Sequence, residues 1–150
     1  MTKRNGIILL VEDSEDDVKL TLRAFKKSKV ANEVVVVRDG VEALDYLHAT
    51  GEGATGAPGA PEVVLLDLKL PRLGGLEVLR RLRGDDRTRL LPVIILTSSA
   101  EEQDVVQSYS LGANSYVRKP VDFAQFVDAA QQLGLYWLVL NQSPPAGPRG

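Results

Sequence analysis

Val63-Val64-Leu65-Leu66-Asp67-Leu68-Lys69-Leu70-Pro71 decides how this chain is read. Four apolar residues run without alternation into an aspartate. Continuous apolar strands belong to parallel sheets covered on both faces. An acid at the carboxyl end of such a strand stands where open α/β sheets bind ligands.

The same design recurs outward from this stretch. Ile7 to Val11 leads into Glu12 and Asp13, and Val34 to Val37 leads into Asp39-Gly40, expected as a turn. Val93 to Leu96, opened by Pro92, ends at Thr97, and Ser115 to Val117 precedes Lys119. Between these runs apolar residues recur at helical spacing. Ser14 is the expected cap of a first helix marked by Val18, Leu22 and Phe25, with acids in its first turn. Val41, Leu44 and Leu47 mark a second helix, and Leu76, Leu79 and Leu82 a third. Val105, Val106 and Tyr109 mark a fourth, which stops at Gly112. Phe123, Phe126, Val127, Ala130 and Leu133 mark a fifth behind Asp122, its expected cap.

Five such units give an α/β fold with a parallel sheet between two helix layers. The expectation is a flavodoxin-like (βα)5 doubly wound sheet of order 2-1-3-4-5. Right-handed crossovers leave few arrangements, and this one puts the first and third strands together at the switch point. The sequence alone does not fix the order.

Length and composition bound the rest. A chain of 150 residues makes one domain able to bury roughly two thirds of its extended surface. A net charge of −2 gives no reason to expect a nucleic-acid or acidic-membrane partner. The absence of cysteine excludes disulfides and thiolate metal sites. The first apolar run is too short for a secretory signal, and no segment approaches the roughly 20 apolar residues of a membrane span. A cytoplasmic protein is expected. Residues 1–142 are read as the domain, with an extended helix or arm from about 134, and 143–150 as a disordered Pro/Gly tail. The Gly/Pro-rich stretch 49–61 is read as a mobile loop of unassigned role.

Glu12, Asp13, Asp67, Thr97 and Lys119 thus meet at one sheet edge. Taken singly, each has an ordinary explanation: Asp13 as a helix cap, Thr97 as a strand end, Lys119 as a surface lysine. Together they suit a divalent cation and a phosphoryl group. Two charges ~4 Å apart repel by about 4 kcal/mol at an effective dielectric of 20, so three clustered carboxylates call for a cation. Mg²⁺ favours one or two carboxylates with water and phosphate oxygens. Asp67 is then a candidate nucleophile, with Thr97 and Lys119 on the phosphoryl oxygens.

With these motifs in hand, residues 6 to 135 resemble the receiver domain of bacterial two-component response regulators. The motifs are Val11-Glu12-Asp13, Asp39-Gly40-Val41-Glu42-Ala43-Leu44, Asp67-Leu68-Lys69-Leu70-Pro71 to Gly75, Thr97-Ser98 and Lys119-Pro120. The resemblance implies that Asp67 takes a phosphoryl group from a sensor histidine kinase. It implies Mg²⁺ on Glu12, Asp13, Asp67 and the Lys69 main-chain carbonyl. Thr97 and Lys119 would contact the phosphoryl group, and Tyr116 would be the switch aromatic reshaping the face of helix 4, strand 5 and helix 5. Lys69 and Ser99 would tune phosphate lifetime. The Lys119–Pro120 bond would be cis. Gly74 departs from the pattern, which usually has Asp there.

A narrower resemblance, carried by the long Gly-rich loop and Tyr136-Trp137-Leu138, is to single-domain regulators paired with bacterial phytochrome kinases. A bacteriophytochrome is therefore one expected donor, with the kinase docking beside the first helix near Val18 and Leu22. The apolar run Leu135 to Leu140 suggests a homodimer through helix 4, strand 5, helix 5 and the extension, with Tyr136, Trp137, Leu138 and Leu140 as interface candidates. Packing of that run onto its own core is the ordinary alternative.

Other functions fit less well. An aspartate-nucleophile phosphatase needs a second Asp where Lys69 stands. A dinucleotide enzyme wants G-x-G-x-x-G where Glu12-Asp13-Ser14 stands. A histidine phosphotransfer protein would be a helical bundle, and the sole histidine, His48, reads as a surface residue. A receiver acting as an unphosphorylated docking module is the nearest competitor. The expectation is a phosphoacceptor, not an enzyme.

Overall fold

The computed structural model describes residues 6–28, 32–49, 60–98, 101–118 and 123–133. Five strands, β1 (Ile7–Val11), β2 (Val34–Val37), β3 (Pro61–Leu66), β4 (Val93–Thr97) and β5 (Ser115–Arg118), alternate with five helices. The helices are α1 (Glu15–Lys27), α2 (Gly40–Ala49), α3 (Gly75–Arg83), α4 (Glu102–Ser110) and α5 (Phe123–Leu133). The strands form one parallel sheet in the order β2-β1-β3-β4-β5, the expected flavodoxin-like topology.

The core divides by strand parity. Ile8, Leu10, Val63, Leu65, Ile94 and Leu96 point to one face and pack with Val18, Ala24 and Phe25 of α1. Leu9, Val11, Val64, Leu66, Val93 and Ile95 point to the other, under Ala43 and Leu47 of α2 and Val78, Leu79 and Leu82 of α3. Burial on both faces is why the strands read as continuous apolar runs.

Several boundaries differ from the sequence reading. Proline 61, expected in a loop, pairs with Ile7 across a register shift and opens β3, a first-residue position where proline is tolerated. Ala49, at the loop's other expected end, closes α2. Asp39-Gly40 is not a free turn: Gly40 begins α2, and Asp39 Oδ1 accepts the Glu42 N–H at 2.9 Å. Turn and cap draw on the same residue types, so local sequence does not separate them. β4 runs one residue past Leu96 and takes in Thr97 as its last residue, the strand end expected of it. In α1 the buried face runs through Val18, Thr21, Ala24 and Phe25, leaving Leu22 38% exposed.

Helix ends follow their residues. Ser14 caps α1 by accepting the Asp17 N–H, with Glu15, Asp16 and Asp17 in the first turn. At the end of α4, Gly112 takes φ +98°. Ala113 N–H bonds Ser108 O at 2.9 Å and Gly112 N–H bonds Tyr109 O at 3.0 Å, the paired closure a left-handed residue permits. Arg83, at the end of α3, donates to the carbonyls of Leu91 and Gly112 and to Asn114 Oδ1. It ties α3 to the entrance of β4 and the α4–β5 turn.

Candidate functional site

Parallel pairing brings the carboxyl ends of β1, β3 and β4 level. Val11 pairs with Leu66, and Leu66 with Ile95. The ladder continues one step past the strands, with Asp67 N–H on Val11 O at 3.1 Å and Glu12 N–H on Val37 O at 3.0 Å. These bonds fix the backbone from which the acidic side chains project.

Glu12, Asp13 and Asp67 converge there. Each offers a carboxylate oxygen, and the three oxygens lie within 4.8 Å of one another. Glu12 and Asp67 are buried, whereas Asp13 is exposed at the rim. Buried charge is costly unless compensated. Part of the compensation is visible. Glu12 Oε2 accepts the Ser14 N–H at 3.2 Å. Asp67 Oδ1 accepts the Leu68 N–H at 2.7 Å, the Lys69 N–H at 3.4 Å and the Thr97 hydroxyl at 2.7 Å. An all-oxygen carboxylate cluster is a hard-cation donor set, so these residues could hold a divalent metal.

The loop from Asp67 to α3 is tightly built. Gly75 N–H donates to Leu68 O at 3.0 Å, and a Cβ on Gly75 would stand 2.2 Å from the Asp67 carbonyl oxygen. Glycine is required there by close approach. Gly74 is the N-cap of α3 without a side-chain cap, in an extended conformation open to any residue.

Of the residues singled out from sequence, Glu12, Asp13, Asp67 and Thr97 are brought together. Lys69 is exposed beside them. Tyr116 is half-buried against the α2/α3 side of the core. It pairs with Ile95, two residues before Thr97, so the two side chains share a sheet face. Its N–H donates to the Tyr109 hydroxyl at 3.2 Å. Lys119, Pro120, Ser99, Asp122 and the Tyr136, Trp137, Leu138 and Leu140 arm lie outside the described residues, as do positions 50–59. His48 is exposed, as expected, 3.9 Å from Asp85. No described helix is long and apolar enough to cross a membrane.

Sequence reading missed one neighbour of the site. Arg72 lies in the β3–α3 loop at φ +63° and pairs through two bonds with Asp39. The Arg72 guanidinium holds the Asp39 carboxyl below the ordinary carboxylate value, against the opposing effect of burial. Nothing local announces a pair 33 residues apart.

Residues 8–131 match the response regulator receiver domain family. Three relatives serve as examples. The bacteriophytochrome response regulator AtBRR is 56% identical over 93% of this chain and all of its own, with a TM-score of 0.72. The phosphorylated cyanobacterial phytochrome response regulator RcpA is 37% identical over 94% of this chain and 99% of its own, with a TM-score of 0.83. The probable methanogenesis regulatory protein FilR2 of Methanothrix harundinacea is 41% identical over 92% of this chain and 87% of its own.

Proposed function

The chain belongs to the response regulator receiver domain family, whose members are signalling phosphoacceptors served by histidine kinases, and on that premise we propose that Asp67 is its phosphorylation site. The observation that carries this reading is the convergence of the Glu12, Asp13 and Asp67 oxygens within 4.8 Å, with Thr97 bonded to Asp67.

In the reaction a carboxylate oxygen of Asp67 attacks the phosphorus of a phosphohistidine. The new O–P bond makes an acyl phosphate. The P–N bond breaks, and its electron pair returns to the imidazole nitrogen. Glu12, Asp13, Asp67 and the Lys69 main-chain carbonyl would hold Mg²⁺, which when bound neutralises charge on the transferring group. Mg²⁺ suits this donor set because it binds through few carboxylates and keeps sites for water and phosphate oxygen. Thr97 and Lys119 take phosphoryl oxygens. Lys69 and Ser99 flank the site and tune hydrolysis.

Phosphorylation then draws Thr97 toward the new oxygens. Tyr116, on the same sheet face, follows inward and reshapes the α4/β5/α5 surface. This is a shift between two populated states. Homodimerisation through that surface and the 134–142 extension fits the apolar run at Tyr136 to Leu140. Sedimentation of a chain ending at Leu133 tests it: an unchanged mass discards the arm.

The donor is a bacteriophytochrome kinase on this reading. The 56% identity to AtBRR and the likeness to RcpA support it. The 41% identity to FilR2 favours a second reading, a histidine kinase of another sensory class. Acetyl phosphate with Mg²⁺ tests the acceptor first. The expected result is the mass gain of one phosphoryl group, lost in Asp67→Asn. Retention in that variant places the phosphate elsewhere. A phosphotransfer screen against sensor kinases then separates the two donors.

A further inference from the structure

Arg72 is the one non-glycine residue among those described with φ in the left-handed region. Such a backbone is strained for a residue with a side chain and persists only where its surroundings over-determine it. Here Arg72 Nε donates to Asp39 Oδ2 at 3.0 Å and Nη2 to Oδ1 at 3.1 Å. Two parallel bonds fix direction as well as distance. Asp39 is 7% exposed and also caps α2 through Glu42 N–H. Next along the chain, Leu73 presses on Gly40 so closely that a Cβ there would lie 2.3 Å from the Leu73 carbonyl oxygen. The loop tip is therefore fastened to the start of α2 by an ion pair and by packing.

The same loop begins and ends at the reacting aspartate. Leu68 and Lys69 N–H donate to Asp67 Oδ1, and Gly75 N–H returns to Leu68 O. The Arg72 side chain is 57% exposed, so solvent screens part of the pair's attraction. A screened pair has little stability to set against the strain it holds. Stability alone leaves the strained arrangement without a benefit, while its place in the loop supplies one.

We propose that the Arg72–Asp39 pair is a positioning device for phosphoryl transfer. Pinning the loop at its tip keeps the Leu68 and Lys69 amides on Asp67 Oδ1 and, on the reading of Asp67 given above, presents the Lys69 carbonyl to the metal. Neither Arg72 nor Asp39 touches the reacting atoms.

Arg72→Gly separates positioning from folding, because glycine accepts the left-handed backbone without strain. The variant is expected to unfold thermally close to wild type. Its Mg²⁺ affinity, measured by calorimetry without any phosphodonor, is expected to fall roughly tenfold, with phosphorylation by acetyl phosphate slowed in step. Arg72→Lys keeps the charge but not the two-point contact and falls between them. Should Arg72→Gly fail to fold, Arg72→Lys carries the comparison. Unchanged Mg²⁺ affinity and phosphorylation rate overturn the proposal while leaving Asp67 as acceptor. A wild-type chain that binds no Mg²⁺ and gains no phosphoryl group overturns both.

Discussion

The Thr97 hydroxyl donates to Asp67 Oδ1 at 2.7 Å, and both residues are buried. This bond joins the ends of β3 and β4 and stabilises a carboxylate away from water. A hydrogen bond to a charged group contributes about 1.5–3 kcal/mol. Thr97→Ala is therefore expected to lose stability in that range, read from urea unfolding at neutral pH. Thr97→Ser keeps the donor and should lose under about 1.5 kcal/mol, the cost of a buried methyl. Equal losses in the two variants would assign the effect to the methyl group instead.

Adjacent glycines should respond in opposite ways. A Cβ on Gly75 meets Asp67 O at 2.2 Å and Leu68 Cα at 2.8 Å, both backbone atoms that cannot swing aside. Gly75→Ala is expected to cost about 3 kcal/mol, the upper end for overpacking. At Gly74 the nearest atom is Leu68 O at 3.7 Å, and the backbone is extended at φ −69° and ψ 160°. Gly74→Asp adds the missing cap and restricts the unfolded chain, for a gain of about 0.5–1 kcal/mol. Thermal unfolding of the pair decides it; a Gly75→Ala protein as stable as wild type contradicts the close approach.

The sequence made the strands legible because burial on two faces leaves unbroken apolar runs, and β1 and β2 lie where Ile7 to Val11 and Val34 to Val37 mark them. The convergence of Glu12, Asp13, Asp67 and Thr97 follows from one inference, the strand order, since each residue sits at its own strand's carboxyl end. What stayed hidden is long-range. Arg72 meets Asp39 across two units, and Arg83 collects carbonyls from Leu91 and Gly112. An arginine in a loop, like Arg72, or at a helix end, like Arg83, gives no local sign of a distant partner. Leu22 shows the converse: helical spacing placed it with Val18 and Phe25, yet Thr21 and Ala24 fill the buried stripe. Small residues pack close to a sheet where a leucine stays at the rim.

The Asp39 pair carries a pH signature. The Arg72 hydrogen bonds hold the Asp39 pKa below its ordinary 3.8, so the carboxylate favours the folded state. A depressed folded value means that this stability is fully present above the unfolded pKa. It is lost as pH falls through the lowered folded one. Wild type is thus expected to exceed Arg72→Ala in stability at neutral pH, with the gap closing on acidification below 3.8. Urea midpoints of both proteins across that window measure it. A gap independent of pH would show that Arg72 acts through packing alone.

Metal should invert the effect of one substitution. Asp13 is exposed, yet its carboxylate lies within 4.8 Å of those of Glu12 and Asp67. At that separation in a water-like dielectric, like charges repel by about 1 kcal/mol. Without divalent cation, Asp13→Asn removes repulsion and little else, so the variant should match or slightly exceed wild type. With Mg²⁺ at roughly 100 times its dissociation constant, wild type gains about 2.7 kcal/mol from ligation, most of which the variant forgoes. The two stability curves should therefore cross as Mg²⁺ is titrated in, and chelation should restore the first order. Curves that stay parallel at every Mg²⁺ concentration would mean that Asp13 takes no part in holding the ion, leaving Glu12 and Asp67 to carry the site.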